Sequence, residues 1–144
     1  MEIAQAVGAD GVHVGQSDME AGDVRARLGA DKIIGVSAKT VEQALLAEKH
    51  GADYLGVGAI YPTTTKVKTV LTTTDTLRDI CAAVPIPVNA IGGLNKTNLD
   101  VLTGIPIAGI CVVSAIMKSD NPCKSAHDLL ILSKQLQNKL QNGK

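Results

Sequence analysis

Three copies of Gly-Ala-Asp punctuate the first part of the chain, at residues 8–10, 29–31 and 51–53, offset by 21 and 22 residues. A fixed period identifies an architecture before any single motif does. An apolar run follows each copy: Gly11-Val12-His13-Val14-Gly15, Ile33-Ile34-Gly35-Val36-Ser37 and Tyr54-Leu55-Gly56-Val57-Gly58. Each copy reads as a helix stop, a turn and a strand. Gly can end a helix in the left-handed conformation, Asp suits the turn, and a short continuous apolar run suits a strand covered on both faces.

Two more runs have the same character without the signature, Ile86-Pro87-Val88-Asn89-Ala90-Ile91 and Ala108-Gly109-Ile110-Cys111-Val112-Val113. Between the five candidate strands lie amphipathic stretches: Val24 to Leu28, Val41 to Lys49, Thr76 to Ala83, Leu94 to Leu102 and Lys124 to Leu140. Thr40-Val41-Glu42-Gln43 forms a capping box, Thr40 accepting a backbone proton and Gln43 reaching back. Alternating strands and helices at this spacing specify parallel β/α units, closed either as an eight-stranded barrel or as a doubly wound sheet. Polar residues after nearly every strand favour the barrel, which gathers its strand-end loops around one mouth. Residues 1–144 are thus expected to be a single partial (β/α)8 TIM-barrel domain, α/β in class. Five units do not close an eight-stranded barrel, so an N-terminal truncation of roughly three units is expected.

Composition excludes several functions. Fourteen Lys and Arg balance fourteen Asp and Glu, so nothing draws the chain to nucleic acid or to an anionic membrane. Aromatic residues are reduced to Tyr54 and Tyr61, too few for stacking platforms. Cys81, Cys111 and Cys123 show neither paired nor zinc-finger spacing and read as ordinary thiols. Without a membrane span or a signal-like start, a cytoplasmic protein is expected.

Four segments carry candidate chemistry. From Tyr54 to Ile86 is 32 residues, about ten more than the neighbouring steps, and the excess includes Thr63, Thr65 and Lys66, hydroxyls and a charge suited to phosphate oxygens. A threonine-rich surface loop is the plainer alternative. Gly92-Gly93 follows the fourth run, where bare backbone and an expected helix start at Leu94 favour an anion. Val113-Ser114 follows the fifth, with two amides and a hydroxyl; the loops after the last two strands of a barrel are a recurrent phosphate site. After the first run, Asp18 either ligates Mg2+ or caps the next helix. His13 reads as a structural histidine, and Ser37 has no His and acidic partner near it in sequence, so a hydrolase triad is unsupported.

Val12-His13-Val14-Gly15-Gln16-Ser17-Asp18, Ile34-Gly35-Val36-Ser37, Pro62-Thr63-Thr64-Thr65-Lys66, Ala90-Ile91-Gly92-Gly93 and Val112-Val113-Ser114-Ala115-Ile116 resemble thiamine phosphate synthase in order and spacing, across essentially the whole chain. The resemblance implies a (β/α)8 barrel whose fourth to eighth strands are seen here. It implies a transferase of thiamine biosynthesis that joins a pyrimidine methyl diphosphate to a thiazole phosphate, through loss of pyrophosphate and capture of a carbocation by the thiazole nitrogen. By the same resemblance, Asp18 ligates Mg2+, and Ser37 and Lys66 hold the diphosphate as its charge develops. Thr63 and Thr65 contact the thiazole phosphate, with the amides of Gly93, Val113 and Ser114 around its phosphate. The family's Gln/Arg/Lys cluster and its Asn-Asp pair, which supplies a second Mg2+ ligand, have no counterpart here, and Gly58-Ala59 stands where the family has Gly-Pro.

The absent half-site leads to the expectation that this chain alone is inactive or very weak. Two alternatives remain: a noncatalytic remnant that binds the thiazole phosphate, and a related barrel enzyme such as a thiazole tautomerase. Small molecules are the expected ligands. Open strand edges also imply self-association or pairing with a missing N-terminal segment.

Overall fold

Strands form where the Gly-Ala-Asp turns release the chain into apolar runs. The computed structural model describes residues 1–62 and 70–142; within them β1 (Gly11–Val14), β2 (Ile33–Ala38), β3 (Tyr54–Val57), β4 (Val88–Ile91) and β5 (Gly109–Cys111) fall within or at the ends of the five runs. All neighbours are parallel, in the order β1-β2-β3-β4-β5. That order can be set against the two closures. A doubly wound sheet reverses its strand order at a switch point, whereas a barrel adds each strand on the same side of the last. Here the order never reverses. Among the described residues β1 and β5 each pair with one neighbour, so these five strands make an open sheet.

The turns explain the repeat. Helices α1 (Glu2–Ala6) and α3 (Val41–Lys49) end alike: the Gly8 amide bonds the Gln5 carbonyl at 3.2 Å and Ala9 that of Ala4 at 2.9 Å, while Gly51 and Ala52 repeat the pair with Glu48 and Ala47 at 3.0 and 2.9 Å. This double bond closes a Schellman ending, which requires a left-handed residue, and φ is +62° at Gly8 and +84° at Gly51. The middle copy departs from the pattern. After α2 (Ala21–Leu28), Gly29 makes one amide bond to the Arg25 carbonyl, and the Arg25 side chain closes the turn instead, donating to the carbonyls of Gly29, Lys32 and Gly51 and to Asp53 at 2.7 Å. Asp53 also accepts the Ile34 amide at 2.7 Å, so the third Gly-Ala-Asp is stapled to the second strand.

Alternation along the strands divides the sheet into two unlike faces. Val14, Ile34, Val36, Leu55, Val57, Val88 and Ala90 are buried beneath the helices, against Val24, Ala44, Leu77 and Ile80. Ile34, Leu55, Leu77 and Ile80 are fully covered, and each such side chain contributes about 2 kcal/mol by leaving water. The opposite face carries His13, Ile33, Gly35, Ser37, Tyr54, Gly56, Asn89 and Ile91. Ile33 is 54% and Ile91 39% exposed there, whereas Gly35 and Gly56 are buried beneath His13 and Tyr54, so the second face is covered at its middle and open at the ends of β2 and β4, not covered throughout as the apolar runs suggested.

The helices largely follow expectation. Besides α2 and α3 there are α4 (Thr74–Ala83), a short unexpected α5 (Ser114–Met117) and α6 (Pro122–Asn142). Thr40 caps α3 by accepting the Gln43 amide at 3.2 Å, and the Gln43 side chain reaches back to the amide of Lys39 at 2.8 Å. The helix expected over Leu94 to Leu102 is reduced to a 3-10 turn at Leu99–Leu102. Its start is consumed by side chains: Asn98 Oδ1 accepts the Asn95 amide at 2.8 Å and Asn95 Oδ1 accepts the Thr97 amide at 2.9 Å. Asn competes with a helical backbone in this way. Among the described residues no helix is long and apolar enough to cross a membrane.

Candidate functional site

Five parallel strands in sequential order bring their C-terminal ends to one edge of the sheet, and every loop singled out from the sequence leaves from that edge. The loop after β1 is a closed turn. Asp18 donates its amide to the Gly15 carbonyl at 3.1 Å and accepts the Gly15 amide on Oδ2 at 2.7 Å. Asp18 therefore does not cap α2, whose first residue is preceded by Glu20 with no side-chain cap bond. Gln16 ties this turn to the next strand end by donating Nε2 to the Ser37 carbonyl at 2.7 Å.

The open face beneath these loops holds a connected polar set. His13 pairs in register with Gly35, which pairs in turn with Tyr54, and Ser37 lies two residues farther along β2 opposite Gly56. The two glycines make room. A Cβ at Gly35 would collide with the Tyr54 ring and the His13 imidazole, and one at Gly56 would come within 3.2 Å of His13 Cε1. The imidazole thus lies over bare backbone, with Nδ1 3.0 Å from the Tyr54 hydroxyl and Nε2 2.9 Å from Ser37 Oγ. The rings of His13 and Tyr54 are tilted by 40° with centroids 5.5 Å apart. Burial, and then the Cys111 thiol, hold the Tyr54 phenol above its ordinary pKa, so it keeps its proton.

His13 is hydrogen-bonded, as expected, but it lies on the exposed face and not in a packed interior. Ser37 has a histidine partner after all, 24 residues away in sequence and one strand away in space. Cross-strand register was the signal that could have found it. Nδ1 on the other side of the imidazole meets the Tyr54 phenol, so Ser37, His13 and Tyr54 do not make up a hydrolase triad.

Farther along the edge, the stem of the long loop is bonded to the β4 end: Ile60 donates to the Ile91 carbonyl and Tyr61 to that of Gly92, both at 3.0 Å. The Gly58–Ala59 peptide is cis. Thr63, Thr65 and Lys66 themselves lie outside the described residues. Gly92 and Gly93 have φ of +103° and +65°, and a Cβ on Gly93 would stand 2.7 Å from Tyr61 Cβ and 2.8 Å from the Pro62 carbonyl. Backbone exposed at that price of residue choice is what an anion-binding turn uses. The Gly93 carbonyl is held by Asn98 Nδ2 at 3.0 Å, so Asn98, Asn95 and Tyr61 shape this turn although the sequence reading passed over them. The helix dipole invoked for Gly93 is absent because no helix begins at Leu94. At β5, Val113 is exposed and precedes the single turn α5, whose first amides have no partner within it.

Ser37, Asp18, Gly93, Val113 and Ser114 thus all stand at one end of the sheet. Among the described residues no three His, Cys, Asp or Glu side chains cluster as a metal site. Of these five residues Asp18 offers a carboxylate, with one oxygen engaged by Gly15. A single carboxylate is compatible with Mg2+, which is commonly held by one or two carboxylates plus substrate phosphates and water. Burial pushes the Cys81 thiol up to about 11, in keeping with an unreactive side chain.

Comparison with known proteins points the same way. The family described as "Thiamine monophosphate synthase" matches residues 1–116. A thiamine-phosphate synthase of Ruminiclostridium cellulolyticum is 52% identical over 130 residues, covering 90% of this chain and 62% of that protein. One from Clostridium botulinum is 50% identical over 129 residues, covering 90% and 61%. The solved structure of a thiamine phosphate pyrophosphorylase from Pyrococcus furiosus superposes with a TM-score of 0.83 at 38% identity, over 94% of this chain and 64% of that one. This chain therefore spans just over three-fifths of the length of the relatives it matches. A family match over four-fifths of its residues, joined to near-half identity with proteins of one name, settles its kinship: the chain belongs to the thiamine monophosphate synthase family.

Proposed function

We propose that β1 to β5 are the fourth to eighth strands of an eight-stranded barrel, and that the barrel joins hydroxymethylpyrimidine diphosphate to thiazole phosphate with release of pyrophosphate. The observation that carries this reading is the convergence of Ser37, Asp18, Gly93, Val113 and Ser114 at the C-terminal edge of one sequentially ordered parallel sheet. Strands outside these five would pair with the open edges of β1 and β5 and cover Ile33 and Ile91.

The reaction is a substitution at carbon, so the protein must stabilise a departing anion and a transient cation; it has no strong nucleophile to activate. Ser37 would donate its hydroxyl proton to a diphosphate oxygen, and Lys66 would add a fixed positive charge. The amides of Gly93, Val113 and Ser114 would hold the thiazole phosphate, with the hydroxyls of Thr63 and Thr65 beside it, so that the ring nitrogen faces the carbon released by the diphosphate. Mg2+ held by Asp18 would neutralise diphosphate charge.

The test is a calorimetric titration of the purified chain with each substrate. Thiazole phosphate should bind, and Gly93→Ala should abolish the binding by driving a Cβ into Tyr61. The pyrimidine diphosphate should bind weakly, and thiamine phosphate formation by the chain alone should be absent or very slow. No affinity for thiazole phosphate would overturn the assignment. Synthesis at the rate of the longer relatives would overturn the division into half-sites, whereas thiazole phosphate binding with no synthesis even beside a complementary barrel half would leave a binder and not an enzyme.

A further inference from the structure

We propose that Tyr54 and His13 act as positioning residues for Ser37, fixing the imidazole in the Nε2–H form so that the Ser37 hydroxyl proton is left to point at the ligand. This inference rests on the reading of Ser37 as a diphosphate contact. It starts from the two bonds on the open face, Tyr54 hydroxyl to Nδ1 at 3.0 Å and Nε2 to Ser37 Oγ at 2.9 Å.

The direction of the chain follows from the phenol. A phenol oxygen shares its lone pair with the ring, so it is a better donor than acceptor, and the Tyr54 proton is firmly held. Tyr54 then donates to Nδ1, and a neutral imidazole that accepts on Nδ1 carries its proton on Nε2. Nε2–H donates to Ser37 Oγ, and with that lone pair engaged the serine proton cannot turn back toward the imidazole. It faces the open end of the strand. The reverse chain would bury the serine proton against Nε2 and present only lone pairs to an anion, which an anion repels. Each bond in the series also polarises the next, strengthening the last donor.

The surroundings keep this geometry. Gly35 and Gly56 leave the space in which the imidazole lies between the two hydroxyls, since a Cβ at either glycine would meet it. Gln16 holds the Ser37 carbonyl at 2.7 Å, so the serine backbone is fixed on its far side. With the Tyr54 phenol on Nδ1, in the place where a triad has a carboxylate, and Nε2 donating, His13 is set up to hold the serine oxygen and not to remove its proton, and Ser37 is a donor and not a nucleophile.

Two measurements test the proposal on the intact chain. Nitrogen NMR of the His13 ring should show the Nε2–H tautomer, shifting toward a mixture in Tyr54→Phe; an Nδ1–H ring, or one indifferent to Tyr54→Phe, overturns the relay whatever the ligand does. Titration with inorganic pyrophosphate and Mg2+, followed by the Ser37 amide signal, reads its effect. Ser37→Ala should weaken binding about tenfold, the size of one hydrogen bond to a charged group. Tyr54→Phe and His13→Ala should weaken it about threefold, one neutral hydrogen bond, and His13→Gln, whose amide can still donate to Ser37, should recover most of the loss. A purely structural His13 would lower the unfolding midpoint in Tyr54→Phe and leave the affinity unmoved, and that result overturns the proposal. If wild-type chain with the Nε2–H ring fails to bind pyrophosphate, it is the diphosphate reading of Ser37 that falls, and the ligand role of the relay falls with it.

Discussion

The two ends of the sheet spend their polar groups differently. At the N-terminal end, Arg25 donates to three carbonyls and to Asp53, and Asp53 in turn takes the Ile34 amide, so every named group there is answered within the chain. At the C-terminal end, Ser37, Asp18 and Gly93 are each held by a hydrogen bond from a neighbour without being buried, and Val113 is exposed. The contrast teaches which residues hold the fold and which are held by it for use.

Arg25→Ala is the strongest test of that division. It strands the carbonyls of Gly29, Lys32 and Gly51 in a half-buried turn and should cost about 3 kcal/mol in urea unfolding, with the His13 ring signals unchanged. Disturbed imidazole signals would mean that the two ends are coupled. Gly35→Ala is the converse. Its Cβ intrudes on the Tyr54 and His13 rings and should cost about 2 kcal/mol, in the range of overpacked sites, while displacing the ring signals outright.

Glycines sharpen the comparison further. Gly92 and Gly104 both have positive φ, +103° and +78°, but a Cβ at Gly92 would stand 2.5 Å from Ala59 Cα and one at Gly104 meets nothing within 4 Å. Alanine at Gly104 should cost about 1 kcal/mol of backbone strain. At Gly92 the clash comes on top, and equal midpoints for the two variants would show that the Gly92 turn yields freely. Acid gives the smallest effect. Partial desolvation pushes the Asp53 carboxyl up, but the Ile34 amide and then Arg25 outweigh it and hold its pKa below the ordinary carboxylate value. A carboxyl depressed on folding contributes stability above its unfolded pKa and loses it as pH falls through the folded one. The chain should therefore weaken slightly below about pH 4, and Asp53→Asn should flatten that slope; an identical slope in the variant would remove Asp53 from the account.

Much of the fold was legible because it is local. The Gly-Ala-Asp period marked three strands and two Schellman turns, and the Thr40 cap marked the start of α3. The failures have a shared cause. Asn95 and Asn98 carry apolar neighbours at helical spacing, yet their side chains bond the backbone and abolish the helix that the spacing implied. The apolar runs read as doubly covered throughout because hydrophobicity does not register that Ile33 and Ile91 stand at the open ends of their face while Gly35 lies under its neighbours. Ser37 and Asp18 stand out in the sequence as polar residues near strand ends, and the structure has Ser37 in the last residues of β2 and Asp18 in the loop after β1. The His13 to Ser37 bond was not legible, because it depends on the register of β1 against β2, which no one-dimensional pattern contains.

The sequential order of the strands has a kinetic consequence. Among the described residues each strand bonds only to the one before and the one after it, so the sheet behaves as a short linear array. Such an array folds by adding units to a formed neighbour and opens from its ends. Amide hydrogen exchange should therefore be slowest at Leu55 and Val57 of β3 and quicken toward β1 and β5, and the first opening from the β1 end would take with it the His13 partner of Ser37 before the core beneath β3 has exchanged at all.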